Sequence, residues 1–382
     1  MRLKKVFRIT LISLLLMFTA FGCVTPQKTA APTKAEAAEN WKYPAIVDVE
    51  FVKQYVKTPP RQDAMIIDAR PKRAKYDKGH IPGAVSIPNT QFDKLKDRLP
   101  KDKDTLLVFY CGGLKCKLSH KSAYKAEKLG YKNVKVFAKG FPNWMKQPGH
   151  YAEVSVDYIK KMTDQKADML IVDSRPKRKR YDKGHITGAV SIPDSQFDKM
   201  IDQLPEDKEK LVVFYCGGYK CKLSHKSAGK AIKLGYKNVK VFSGGYPEWK
   251  QLMAKTTGSA ASKSAAADIK TGKEEGSIDI PTFEKIITEN PERIVLIDVR
   301  DADEFKAGAI KTAMNIPVDD LEKKIKTLPA DKPIVFICST GARSGESYYM
   351  VKDMRPEIKD VYYLEAEVDF KKDGSYKLKP TP

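Results

Sequence analysis

The stretch FYCGGLKCKLSHKSA, residues Phe109–Ala123, returns almost unchanged as FYCGGYKCKLSHKSA, residues Phe214–Ala228. In both copies a cysteine directly follows a continuous apolar run, LLVFY or LVVFY, and a helix is predicted to follow the cysteine loop. Apolar runs without alternation are typical of strands in a parallel sheet that is covered on both faces. The order of strand, loop and helix therefore predicts an α/β fold that binds ligands at the carboxyl ends of its strands.

This order of elements occurs three times in the 382 residues, which predicts three tandem domains at 45–150, 151–255 and 278–382. Each unit has a β-rich run ending in Asp-x-Arg, an Ile-Pro strand end, a hydrophobic strand, a loop, a helix and a further strand. Each is expected to form a parallel β-sheet with helices on both faces. Residues 256–277 are small and polar, so we interpret them as a linker that lets the third unit move.

The N-terminus predicts export. Residues 1–22 have a basic start and an apolar run too short for a membrane span, as in a secretory signal peptide. The Gly22-Cys23 junction resembles a bacterial lipobox, so residues 23–44 are interpreted as a lipidated cysteine followed by a flexible tether. We expect a lipoprotein in the outer membrane that faces the periplasm; the alternative is a cleaved, soluble periplasmic protein.

The formal net charge of +22 favours anionic partners, either small oxyanions or membrane phosphates, although a solvated basic surface is an equally simple explanation. Nucleic acid is not expected, because the chain is predicted to be exported and contains no nucleic-acid-binding motif. Five of the six cysteines lie in short loops, which indicates reactive thiols more than structural disulfides. The six are Cys23, Cys111, Cys116, Cys216, Cys221 and Cys338.

Cys111 is placed to become a thiolate. It follows a predicted strand and precedes a helix whose predicted N-cap is Ser119, so that loop amides and the helix dipole favour an anion there. Gly112 and Gly113 allow the backbone N–H groups to converge on one point. We therefore expect a lowered pKa for the Cys111 thiol.

Several stretches together resemble the rhodanese-like sulfurtransferases. In unit one these are DARPKRAKYDKGHIPGAVSIP (Asp68–Pro88) and LGYKNVKVFAKGFPNW (Leu129–Trp144), with FYC at a strand end between them. Unit two repeats the pattern, and unit three matches it with DVRDADEFKAGAIKTAMNIP and CSTGARS. The resemblance extends over almost all of the chain beyond the tether and the linker.

The resemblance implies that Cys111, Cys216 and Cys338 each accept a sulfane sulfur as a persulfide and pass it to a thiol or to cyanide. The donor would be thiosulfate, polysulfide or a similar oxyanion such as selenite, without a metal or organic cofactor. An outer-membrane protein is a further expected partner. The loop residues expected to hold the anionic donor are Gly112, Gly113, Lys115, Gly217, Gly218, Lys220, Ser339, Thr340, Gly341 and Arg343. Ion pairs within three Asp-x-Arg motifs are expected to support the loops: Asp68, Arg70, Asp173, Arg175, Asp298 and Arg300.

The loops of units one and two differ from the usual pattern. They are two residues longer than that of unit three, contain no arginine, and carry a second cysteine, Cys116 or Cys221. That second thiol either attacks the persulfide and releases hydrosulfide, or simply packs the far side of the loop. A soft-metal site made by Cys111, Cys116 and His120 is disfavoured, because the spacing is not a familiar zinc pattern.

Other polar residues are open to several interpretations. His120 and His225 are interpreted as solvated residues of the first helical turn, in preference to proton-transfer groups. The basic clusters at 71–73 and 176–180 either draw anions to the site, contact an anionic membrane, or form plain surface.

Two other classes of function compete with sulfur transfer. A cysteine phosphatase or arsenate reductase needs an arginine in the cysteine loop, which only unit three has, as Arg343. A dithiol redox protein, or a scaffold that binds sulfur, selenium or metal for an outer-membrane partner, is the alternative to an enzyme.

Overall fold

The computed structural model describes residues 41–255 and 269–381. The predicted signal peptide, Cys23, the tether as far as residue 40 and linker residues 256–268 lie outside that range. Within the described ranges, no helix combines the length and apolar character that crossing a membrane requires.

The first domain is built on a four-stranded parallel sheet of order β2-β1-β3-β4. Its elements are α1 (Val49–Tyr55), β1 (Ala64–Asp68), β2 (Val85–Ser86), α2 (Phe92–Leu95), β3 (Leu106–Tyr110), α3 (Leu118–Lys128), β4 (Val134–Phe137) and α4 (Gly140–Met145). All five residues of β3 are buried, because the strand lies inside the sheet and helices cover both of its faces.

The second domain repeats this arrangement with one more strand, in the order β5-β9-β8-β6-β7. Its elements are β5 (Ala152–Glu153), α5 (Val156–Asp164), β6 (Met169–Asp173), β7 (Val190–Ser191), β8 (Leu211–Tyr215), α6 (Leu223–Lys233), β9 (Val239–Phe242) and α7 (Gly245–Lys255). All of its strand pairs are parallel, and β8 is buried along its whole length.

The third domain has a five-stranded parallel sheet of order β10-β14-β13-β11-β12 and a separate antiparallel hairpin. The sheet and its helices are β10 (Ser277–Ile278), α8 (Ile280–Glu289), β11 (Val295–Asp298), α9 (Ala302–Ala307), β12 (Met314–Asn315), α10 (Val318–Lys324), β13 (Ile334–Ile337), α11 (Ala342–Met354) and β14 (Val361–Leu364). The hairpin consists of β15 (Ala366–Phe370) and β16 (Tyr376–Pro380). Three domains of parallel sheet flanked by helices confirm the predicted α/β class.

The third domain is held against the first. Arg73 forms an ion pair with Asp353 at 2.8 Å, and Lys75 forms another with Glu365. Ile269, inside the predicted linker, is buried in the core of the third domain. The structure therefore differs from the expectation of a freely moving third unit, because these contacts tie it to the first domain and residues 269–277 belong to its fold.

Candidate active sites

Cys111 lies at the carboxyl end of β3, where the sequence predicted it, and its side chain is wholly buried. Its Sγ is 3.1 Å from the carbonyl oxygen of Cys116 and 3.1 Å from Oγ of Ser119. Burial alone would raise the pKa of Cys111. Hydrogen bonds from the Cys116 thiol, the Ser119 hydroxyl and loop amides outweigh burial and lower the pKa to about 7.

The predicted cap at Ser119 is wrong in position. The helix begins at Leu118 with Lys117 as its N-cap residue, so Ser119 lies within the first turn. Its hydroxyl faces the sulfur of Cys111 instead of capping the helix. The Ser119 hydroxyl is therefore a hydrogen-bond partner of the Cys111 sulfur. Ser224 contacts Sγ of Cys216 in the same way at 3.2 Å.

Cys116 is the proton-bearing partner of Cys111. The hydrogen bond that it gives to Cys111, together with its own burial, raises the pKa of Cys116 well above its ordinary value. Two thiols that share one proton in this way do not both ionise near neutral pH. In the first domain the thiolate therefore resides on Cys111.

In the second domain the equivalent pair, Cys216 and Cys221, has the opposite order of pKa values. The hydrogen bond shared with Cys216 lowers the pKa of Cys221 to about 6, and the pKa of Cys216 is raised. Cys216 is buried, whereas Cys221 is partly exposed, so solvation favours the charge on Cys221. All five cysteines in the described residues are free thiols.

Cys338 of the third domain has a different neighbourhood. Its Sγ accepts a hydrogen bond from the Ser344 amide at 3.4 Å and lies 3.5 Å from the Ser344 hydroxyl. Arg343 is buried and donates from Nη1 to Glu304 at 2.6 Å. Both terminal nitrogens of Arg343 are thus engaged by Glu304.

The cysteine loops are closed by a glycine that was not among the predicted site residues. A Cβ at Gly140 would overlap the carbonyl oxygen of Cys111, and Gly140 has φ = 60°. Phe141 then donates its N–H to that oxygen at 3.0 Å. Gly245 meets Cys216 in the same way. These glycines could have been found from the sequence, because Gly140 and Gly245 occupy the same position in the matching segments KGFPNW and GGYPEW.

The Asp-x-Arg motifs form buried ion pairs. Arg70 Nε donates to Asp68 at 2.9 Å, its Nη2 donates to the carbonyl of Gly79 at 2.8 Å, and the Tyr110 hydroxyl donates to Asp68 at 2.7 Å. The motif thus links the end of β1 to the Gly-His turn and to the residue before Cys111, as an element of support. The equivalent pairs are Asp173 with Arg175 and Asp298 with Arg300.

The lysines expected to hold an anionic donor are exposed, whereas Cys111 and Cys216 are buried. Lys115 Nζ is 3.9 Å from Asp369 of the third domain, and its side chain is 61% exposed. Lys220 is exposed and has no ion pair within the described residues. Gly112, Gly113, Gly217 and Gly218 lie in the first two cysteine loops, and Ser339, Thr340 and Gly341 lie in the third. Their role in holding an anion stays a prediction.

The interpretation of His120 and His225 as solvated residues is wrong. His120 is buried and its Nδ1 accepts a hydrogen bond from the Tyr43 amide at 2.9 Å. Burial lowers the pKa of His120 to about 4, so it is neutral. His225 contacts the Tyr151 hydroxyl at 2.9 Å and lies 3.7 Å from the buried Glu153.

The basic cluster at 71–73 forms contacts between domains, a role that differs from drawing anions, contacting a membrane or forming plain surface. Lys72 forms ion pairs with Asp77 and with Asp157 of the second domain, and Arg73 pairs with the third domain. These residues join domains. In the second cluster Lys177 pairs with Asp182, and Arg178–Arg180 show no ion pair within the described part of the chain.

Metal binding has no geometric support in the described ranges, where no group of three His, Cys, Asp or Glu side chains is placed to hold an ion. Cys111, Cys116 and His120 are among the described side chains that do not form such a group.

Comparison with known proteins connects these sites to relatives. A curated relative, "tRNA uridine(34) hydroxylase" of Yersinia pestis (strain Pestoides F), is 35% identical over 106 residues, which are 26% of this chain and 28% of the relative. The protein of the same name from Yersinia enterocolitica matches equally. The chain thus matches little more than a quarter of the length of these relatives.

Among solved structures, "Thiosulfate sulfurtransferase from Pseudomonas aeruginosa" overlaps 88% of this chain and 70% of its own, at 16% identity and a TM-score of 0.24. A TM-score this low does not establish a shared arrangement of the whole chain. The family profile described as "Rhodanese-like domain" matches residues 41–147, 155–252 and 282–367. The chain therefore belongs to the rhodanese-like family, with three tandem domains of that kind.

Proposed function

We propose that this rhodanese-family protein takes a sulfane sulfur from thiosulfate or polysulfide onto a loop cysteine and passes it to a thiol or to cyanide. The observation that carries the proposal is the environment of Cys111. A buried sulfur at a strand end receives hydrogen bonds from Ser119, Cys116 and loop amides, and its pKa is lowered to about 7. A thiolate of this kind is the nucleophile that covalent sulfur transfer requires.

The reaction consists of two displacements. The Cys111 thiolate attacks the outer sulfur of thiosulfate, the S–S bond of the donor breaks, and sulfite leaves with the bonding electrons. The acceptor thiolate then attacks the outer sulfur of the persulfide and Cys111 leaves as a thiolate. Loop amides that already face the Cys111 sulfur stabilise its negative charge before and after transfer.

A second candidate function is dithiol redox chemistry, and the hydrogen bond between Cys111 and Cys116 favours it. In this reaction Cys116 loses its proton and attacks the inner sulfur of a Cys111 persulfide, which releases hydrosulfide and leaves a disulfide. An external dithiol must then reduce that disulfide before another cycle. The third domain has no such second cysteine, so Cys338 is restricted to sulfur transfer.

We also propose that the protein acts as an exported lipoprotein, anchored through Cys23 in the outer membrane and facing the periplasm, beside an outer-membrane protein partner. The basic, then apolar, residues 1–22 and the Gly22-Cys23 junction support this placement. Detection of a lipid on the peptide that begins at Cys23 would test it.

Intact-protein mass spectrometry tests the proposed reaction. The reduced protein is exposed briefly to thiosulfate, alongside Cys111→Ser, Cys216→Ser, Cys221→Ser and Cys338→Ser variants. We expect the mass of about one sulfur atom per active loop, lost with the matching serine. Loss of two hydrogens per two-cysteine loop without any gain of sulfur would contradict sulfur transfer and favour the redox function.

A further inference from the structure

The cysteine loops of the first and third domains face each other. Gly112 follows Cys111, and a methyl group on Gly112 would lie 3.8 Å from Oγ1 of Thr340, two residues after Cys338. The space between Gly112 and Thr340 would thus just admit a methyl group, so the two loops are close neighbours.

Ion pairs hold this contact together on one side of the loops. Lys117, only 8% exposed, lies 2.8 Å from Asp303 and 4.0 Å from Glu304, and Glu304 also binds Arg343 beside Cys338. Lys121 lies 2.8 Å from Asp301. A continuous set of charges thus runs from the helix after the Cys111 loop to the arginine of the Cys338 loop.

The far side is closed by the C-terminal hairpin. Lys115 Nζ approaches Asp369 on β15, and the neighbouring Val368 donates its N–H to the Ser339 carbonyl at 3.0 Å. The same strand therefore contacts both loops.

The two loops differ in their access to solvent. Cys338 is 1% exposed, and in the loop 338–344 only Thr340 is partly exposed, the residue that lies against Gly112. The first loop instead exposes Leu114 and Lys115. The first loop therefore presents more of its surface to solvent than the third loop does, although the thiols of Cys111 and Cys338 are both buried.

We propose that Cys338 receives its sulfur from a Cys111 persulfide, so that the third domain is loaded through the first. This inference rests on the proposed function. The Cys338 thiolate attacks the outer sulfur of the Cys111 persulfide, a new S–S bond forms at Cys338, and the old S–S bond breaks. Cys111 leaves as a thiolate, so no electrons are gained or lost overall and no further reactant is needed.

The test follows labelled sulfur through the full chain. Thiosulfate carrying heavy sulfur in its outer position is added, the reaction is stopped by alkylation at successive times, and the label is mapped to the peptides of Cys111, Cys216 and Cys338. In the unaltered protein, label appears on Cys111 before Cys338. In the Cys111→Ser variant, label on Cys338 falls at least tenfold while label on the second domain is unchanged.

One control accompanies this experiment. Cys216→Ser removes the equivalent thiol of the second domain and leaves the labelling of Cys338 intact. Equal labelling of Cys338 with and without Cys111 overturns the relay. Label on Cys111 in the unaltered protein that never reaches Cys338 overturns the relay but not the proposed function, whereas no label anywhere contradicts both.

Discussion

The loops that begin at Cys111 and Cys216 have nearly the same sequence but different surroundings. In the first domain Cys116 and Lys117 are buried, whereas their counterparts in the second domain are not: Cys221 is partly exposed and Lys222 is exposed. The third domain forms ion pairs with the first loop and the helix after it, whereas the described residues of the third domain form no ion pair with the second loop. Domain packing, more than loop sequence, therefore sets which thiol is charged and which is accessible.

The largest expected effect comes from reversing the charge of a lysine that joins the first and third domains. Lys117→Glu places a carboxylate beside Asp303 and Glu304, which we expect to destabilise the contact by about 4 kcal/mol. Hydrogen exchange of the amides in the Cys111 loop should then become at least a hundredfold faster. The matched variant Lys222→Glu has no such partner and should leave the second loop unchanged. If Lys117→Glu and Lys222→Glu accelerated hydrogen exchange equally in their own loops, the proposed difference between the two loops would be refuted.

A second prediction concerns a buried carboxyl at the same contact. Burial of Glu346 raises its pKa from 4.5 to about 7, and Thr90 of the first domain donates its hydroxyl to it. The folded protein therefore binds more protons than the unfolded chain between these pH values, so the stabilising contribution is present below pH 4.5 and is lost as pH rises through 7.

Glu346→Gln removes this cost of ionisation and should stabilise the protein at pH 8 by about 3 kcal/mol, with little change at pH 4.5. Chemical denaturation monitored in the third domain at both pH values measures it. Glu322→Gln, an exposed partner of Lys94 at the same contact, is the control and should change stability little. A loss of stability in Glu346→Gln at pH 8 would contradict the assignment.

A third and smaller effect separates the thiols themselves. At pH 6.5 a neutral alkylating reagent should modify Cys221 about tenfold faster than Cys111, because Cys221 is more exposed and its pKa is lowered to about 6. The rates at both sites should rise with pH as the thiolate forms. Peptide mapping of a time course measures both rates in one sample. Faster modification of Cys111 than of Cys221 would contradict the predicted difference between the two loops.

Much of the fold followed from local sequence. The run LLVFY at residues 106–110 predicted β3 with its observed ends, because a short all-apolar segment rich in β-formers and followed by a glycine loop is typical of a buried strand. The positions of Cys111, Cys216 and Cys338 at strand ends followed from the same pattern. The Asp68–Arg70 pairing was expected because both residues sit at one strand end.

What the sequence left undetermined depends on contacts between residues that lie far apart in the chain. His120 looked solvated because its partner, the Tyr43 amide, lies far away in the chain. The approach of Lys115 to Asp369 was not predictable, because Asp369 belongs to another domain. One signal was present: the segment DADEF of unit three is acidic, and its aspartates pair with Lys117 and Lys121 of the lysine-rich helix that follows the Cys111 loop.

The measurement that tests the central claim most directly is the location of sulfane sulfur in the unaltered full chain after brief exposure to thiosulfate, determined by alkylation and peptide sequencing in a mass spectrometer. The account predicts a persulfide on Cys111, followed in time by one on Cys338. Recovery of every loop cysteine as an unmodified thiol or as a disulfide, with no added sulfur, would contradict it.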